Sequence, residues 1–134
     1  MKRAVLYADG AARGNPGPAG SGAALVDENG RVIAEAMRHL GHATNNVAEY
    51  TALIIGLEVA RTHEVEDLEI RMDSKLVVEQ MNGKWRIRHP NIRPLAMRAG
   101  ELLALFPKRS IRHIPREQNA IADLLANRAI DEAR

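Results

Sequence analysis

The stretch Leu6-Tyr7-Ala8-Asp9-Gly10-Ala11-Ala12-Arg13-Gly14-Asn15-Pro16-Gly17-Pro18-Ala19-Gly20-Ser21-Gly22 (LYADGAARGNPGPAGSG) runs from an apolar segment straight into a carboxylate, then into glycine and proline. Burying a charge is costly unless something compensates it. Asp9 is therefore read as the end of a first strand facing a cleft. The glycine-studded segment after it is read as a loop whose main content is bare backbone.

Outward from this stretch, alternation over residues 3–8 and again over 22–26 predicts two strands. A third spans 32–39, because Glu28-Asn29-Gly30 supplies hairpin-turn chemistry. From Asn46 the period changes: Val47, Tyr50, Ile54 and Leu57 recur at steps of three and four, an amphipathic helix with Asn45 or Asn46 as N-cap. Residues 68–72 alternate again and end at Asp73-Ser74. A short helix through Leu76, Val77, Gln80 and Met81 stops at Asn82-Gly83. Residues 84–94, with two prolines, read as a loop, and 95–105 as a helix. A fifth strand over 110–114 is closed by Pro115, and a terminal helix from Asn119 turns Ile121, Leu124, Leu125 and Ala129 inward.

This order specifies an α/β fold with a five-stranded mixed sheet. An antiparallel three-stranded meander is joined by two parallel strands reached through helical crossovers, and helices flank the sheet. In open sheets of this kind the cleft lies beyond the carboxyl ends of the parallel strands.

At 134 residues the chain is expected to form one domain over 1–134. No apolar run approaches the roughly 18–20 residues of a membrane span, and the N-terminus lacks a signal-peptide pattern. The chain has no cysteine, which excludes disulfides, zinc thiolates and cysteine nucleophiles. It reads as soluble and cytoplasmic, without membrane contact, and as a monomer.

The net charge of +2 hides an asymmetry. Residues 84–116 hold nine basic side chains (Lys84, Arg86, Arg88, Arg93, Arg98, Lys108, Arg109, Arg112, Arg116) against one acid, Glu101. Such a segment is either a polyanion-facing surface or a solvated face.

Four acids stand at element ends: Asp9 after the first strand, Asp73 after the fourth, Glu49 in the first turn of the first helix, and Asp123 about one turn into the last. If the parallel strands are neighbours, these carboxylates converge, and their mutual repulsion calls for cations. An all-oxygen site with few protein ligands suits Mg²⁺, with Mn²⁺ an alternative. Two such ions activate a water and stabilise the leaving oxygen in attack on phosphorus.

Together these pieces resemble type 1 ribonuclease H, in a compact form without the basic handle helix of some members. The resemblance rests on Tyr7-Ala8-Asp9-Gly10, Asn15-Pro16-Gly17-Pro18, Thr44-Asn45-Asn46-Val47-Ala48-Glu49, Met72-Asp73-Ser74 and Pro115-Arg116-Glu117-Gln118-Asn119, followed by Ala122-Asp123 and Leu125-Ala126-Asn127. It implies a ribonuclease H-like fold and an endonuclease cutting the RNA strand of RNA–DNA hybrids by two-metal-ion catalysis, leaving 5′-phosphate and 3′-hydroxyl ends. No small-molecule cofactor is implied. Asp9, Glu49, Asp73 and Asp123 correspond to the family's metal-binding quartet.

Gly14, Asn15 and Asn45 match positions that read RNA 2′-hydroxyls, the group that distinguishes RNA from DNA. Thr44 is similar to a threonine that holds a DNA-strand phosphate, and Ser74, Lys84 and Trp85 complete the implied substrate contacts. Lys84-Trp85-Arg86-Ile87-Arg88-His89 is what remains of the handle, either a strand-binding ridge or a core tryptophan with a solvated rim. Where many members carry a loop histidine that assists catalysis or product release, Arg116 is the expected occupant. His113, in a predicted strand, is assigned a structural role. Two other functions compete: a resolvase- or exonuclease-like DNA nuclease on the same fold, and a non-catalytic hybrid-binding module.

Overall fold

The computed structural model of the protein describes residues 1–132. Strands β1 (Arg3–Ala12), β2 (Gly17–Val26) and β3 (Val32–Ala43) precede helix α1 (Asn45–Thr62). Strand β4 (Asp67–Met72), helices α2 (Lys75–Met81) and α3 (Arg93–Leu103), strand β5 (Lys108–His113), a 3₁₀ turn (Arg116–Gln118) and helix α4 (Ala120–Asp131) follow. The five strands form one sheet in the order β3-β2-β1-β4-β5. The pairs β1–β2 and β2–β3 are antiparallel, whereas β1–β4 and β4–β5 are parallel. This is the mixed sheet expected from the element order.

The first hairpin departs from expectation. Most of the presumed loop is strand: β1 continues to Ala12 and β2 begins at Gly17, so only residues 13–16 turn. Asp9 therefore lies inside β1, opposite Gly22 of β2. Glycine and alanine conceal the strand in the sequence because they carry no apolar alternation. Their use is packing: a Cβ on Gly22 would lie 2.5 Å from the Ala126 nitrogen of α4, and one on Gly10 would collide with the α1 backbone at Ala48 and Glu49. Two helices thus meet the sheet on opposite faces, each across a glycine.

Helix α1 is not amphipathic. The unbroken run from Ala48 to Leu57 is buried, because the helix lies between the sheet and α3. Its N-cap is Thr44, whose hydroxyl accepts from the Val47 N–H at 3.3 Å, rather than Asn45 or Asn46. Helix α3 starts at Arg93 with Pro94 in its first turn, where the missing N–H costs nothing. Strand β5 begins earlier than predicted, at Lys108. Leu124 is 59% exposed rather than inward-facing, since α4 turns Ala122, Leu125, Ala126 and Ala129 onto the sheet. Among the described residues, no helix is long and apolar enough to cross a membrane.

Candidate active site

The parallel ladder of β1 and β4 ends at Ala8 and Met72, so Asp9 and Asp73 follow side by side at its carboxyl end. Gly10, the residue after Asp9, admits α1 close enough for its own N–H to donate to Glu49 Oε2 at 3.3 Å. Ser21 Oγ donates to the Ala48 carbonyl at 2.7 Å and ties the same turn of α1 to β2. From the other face, Gly22 admits the first turn of α4, which carries Asp123. Asp9 is thus flanked from both faces by helices that bring acids to it.

Asp9, Glu49, Asp73 and Asp123 line one cleft of about 260 Å³ together with Arg13, Asn45, Arg116 and Asn127. Asp9 is 4% and Glu49 6% exposed. Burial, and then the charges of Glu49, Asp73 and Asp123, push the Asp9 carboxyl up to about 9. Burial and Asp73 push Glu49 up to about 8, against the opposing pull of the Gly10 N–H and the Arg116 guanidinium. Among the described residues, no three or more Asp, Glu, His or Cys side chains are gathered closely enough to hold a metal ion between them. The donors nevertheless fit a hard divalent cation: they are all carboxylate oxygens, their repulsion needs positive charge, and an open cleft leaves positions for water and phosphate oxygens.

Arg116 lines this cleft and His113 does not: His113 is the exposed last residue of β5, paired with Met72. Asn45 reaches the cleft, while Asn15 and Thr44 line a neighbouring groove with Asn46, His89, Asn91 and Ile92. Asn15 Oδ1 accepts the Asn45 N–H at 3.0 Å and so pins the hairpin to the start of α1. Gly14 sits at φ +93° on the hairpin tip, where a side chain would be strained. Ser74 caps α2 by accepting from Val77, and neither it, Lys84 nor Trp85 lines the acidic cleft. Trp85 is not a core residue: it is 44% exposed, with the Lys75 ammonium 5.9 Å from its ring centre.

Three further residues, Arg13, Asn119 and Asn127, support the acids of the cleft. Arg13 donates to Asp131 Oδ1 at 2.6 Å and to Asn127 Oδ1 at 3.3 Å, and Asn127 Nδ2 in turn donates to the Asp123 carbonyl at 3.0 Å. Asn119 donates from Nδ2 to Asp73 Oδ1 at 2.7 Å and to the Ala8 carbonyl at 2.9 Å. The available signal for Asn127 was its spacing, one helical turn after Asp123. Asn119 reads from sequence as a helix cap and nothing more.

Comparison with known proteins gives a consistent result. The reverse transcriptase-like family profile matches residues 7–129. The chain is 49% identical over 131 residues to ribonuclease HI of Halobacterium salinarum, which covers 98% of this chain and 66% of that protein. It is 46% identical to the bifunctional protein Rv2228c of Mycobacterium tuberculosis, where it spans 98% of its own length but 36% of the relative's. The chain thus covers less than two thirds of these relatives. The crystal structure of the H. salinarum RNase H1 superposes with a TM-score of 0.93, covering 98% of this chain and 99% of that one at 49% identity. LC11-RNase H1 in complex with RNA/DNA hybrid superposes with a TM-score of 0.90 at 41% identity, covering 96% and 97% of the two chains. With the sheet order, the acidic cleft and these likenesses all agreeing, the chain belongs to the ribonuclease H family.

Proposed function

We propose that the protein is an endonuclease that hydrolyses the RNA strand of RNA–DNA hybrids. The observation that carries this reading is the burial of Asp9 and Glu49 beside Asp73 and Asp123 in one cleft, an arrangement whose negative charge is borne only when protons or cations neutralise it. Ribonucleases of this family are metal-dependent. The four carboxylates are assigned to two divalent ions, Mg²⁺ in the working enzyme with Mn²⁺ as a substitute. When bound, such ions supply an activated water and stabilise the charge on the leaving oxygen in an in-line displacement. The new bond joins the water oxygen to phosphorus, the P–O3′ bond breaks, and O3′ takes a proton. The products are a 5′-phosphate and a 3′-hydroxyl.

The chain's own groups then orient the hybrid. Asn15 spends its side-chain oxygen on the Asn45 N–H, which leaves its NH₂ to donate to a ribose 2′-hydroxyl. The backbone of Gly14 and the side chain of Asn45 extend this reading of the RNA strand. Thr44 and Ser74 each accept a cap bond and keep a hydroxyl hydrogen for a phosphate. Lys84 and exposed Trp85 offer a cation and a stacking face to the strand. Arg116, whose charge already acts on Glu49, meets the departing 5′-phosphate and speeds its release.

The test is cleavage of one end-labelled hybrid beside sequence-matched double-stranded DNA and RNA, with Mg²⁺ and with chelator. RNA-strand cleavage of the hybrid alone, and only with metal, is expected. Cleavage of the DNA duplex would indicate a resolvase-like nuclease, and binding without cleavage a hybrid-binding module.

A further inference from the structure

We propose that Asn119 is a positioning residue of the acidic cleft, its amide holding the Asp73 carboxylate against the end of β1 and so setting its spacing from Asp9. The inference rests on the reading of these carboxylates as metal ligands. Asn119 precedes α4 at the N-cap position, yet its side chain makes no cap bond. It is fully buried at 0% exposure, and both hydrogens of its amide are spent across two strands, on Asp73 Oδ1 at 2.7 Å and the Ala8 carbonyl at 2.9 Å.

Its Oδ1 is buried without a partner. Turning the amide over would set that oxygen against two acceptors, so the partners themselves dictate the orientation. An asparagine at a helix start ordinarily uses its oxygen to cap the first N–H groups. Here that use is given up and an acceptor is left unpaired, the kind of exception that marks functional sites.

The location explains the need. The β1–β4 ladder stops at Ala8 and Met72, one residue short of the two acids. The Asn119 amide supplies a cross-strand link at the level where backbone pairing ends, and the chain returns from 111 residues downstream to make it. Groups that orient a metal-binding carboxylate in this way typically change metal affinity or activity by about 10–100-fold when removed.

The experiment compares wild type, Asn119→Ala, Asp73→Asn and Leu102→Ala. Leu102→Ala is a destabilising control, buried on α3 and outside the cleft. For Asn119→Ala the Mg²⁺ concentration giving half-maximal cleavage is expected to rise, and kcat at saturating metal to fall, each by about 10-fold or more. KM for hybrid should change little. In thermal unfolding without substrate, the Tm rise on adding Mg²⁺ should shrink for Asn119→Ala and persist for Leu102→Ala. Should Asn119→Ala fail to fold, Asn119→Ser, which keeps one donor, is put through the same measurements with a smaller change expected. Wild-type metal response and kcat, with only a Tm loss like that of Leu102→Ala, would reduce Asn119 to a structural role. Retained turnover in Asp73→Asn would instead overturn the metal assignment itself.

Discussion

Asp9 is the residue whose charge this fold tolerates least, because it is buried with Glu49 and faces Asp73 and Asp123. Asp9→Asn and Asp73→Asn are expected to lower turnover by at least about three orders of magnitude, roughly 4 kcal/mol in barrier, while the fold survives. Hybrid binding, measured by gel shift without metal, should persist or tighten as negative charge near the phosphates falls. Arg116→Ala should slow kcat by about tenfold, near 1.4 kcal/mol, with KM nearly unchanged. His113→Ala should leave kcat within about twofold, consistent with its exposed place outside the cleft. A steady-state comparison of the two variants on one hybrid decides between them.

At the scale of elements, the site is built by glycines. Gly10 and Gly22 bring α1 and α4 to opposite faces of the sheet beside Asp9, and each helix delivers one acid. Gly22→Ala forces α4 outward and is expected to cost about 1–3 kcal/mol in urea unfolding, as overpacking usually does. It should also depress kcat more than its stability loss explains, because Asp123 moves with the helix. Assaying it well below its Tm, alongside Leu102→Ala, separates the two effects. Gly10 and Gly17, with the glycines and prolines between β1 and β2, look like turn residues in the sequence because turn geometry and close backbone approach call for the same residue. Only the packing distinguishes the uses, which is why β1 and β2 run longer than their alternation indicated.

For the whole molecule, the acidic cleft sets a pH dependence. Asp9 and Glu49 are raised in the folded chain, to about 9 and about 8, so the folded state holds protons that the unfolded chain has already released. Stability from these groups is greatest at low pH and declines as pH rises from about 4 toward 9. In chelator, unfolding free energy should therefore fall between pH 5 and pH 9, Asp9→Asn should flatten that slope, and Mg²⁺ should restore wild type at high pH. An Asp9→Asn slope identical to wild type would contradict the electrostatic account. The nine basic side chains of residues 84–116 are all exposed, and they sit on the loop after α2, helix α3, strand β5 and the turn that carries Arg116. Apolar periodicity and the order of strands and helices determined the sheet type and the edge of the parallel pair from which Asp73 follows, because both are local properties of the chain, whereas the continuation of β1 past Asp9 was not among them. Tertiary structure alone decided that Glu49 lies within reach of Gly10, 39 residues away, and that Asn119 clamps Ala8 and Asp73. Those contacts depend on which glycines admit a helix and which buried polar groups lack other partners, and neither is written into any local pattern.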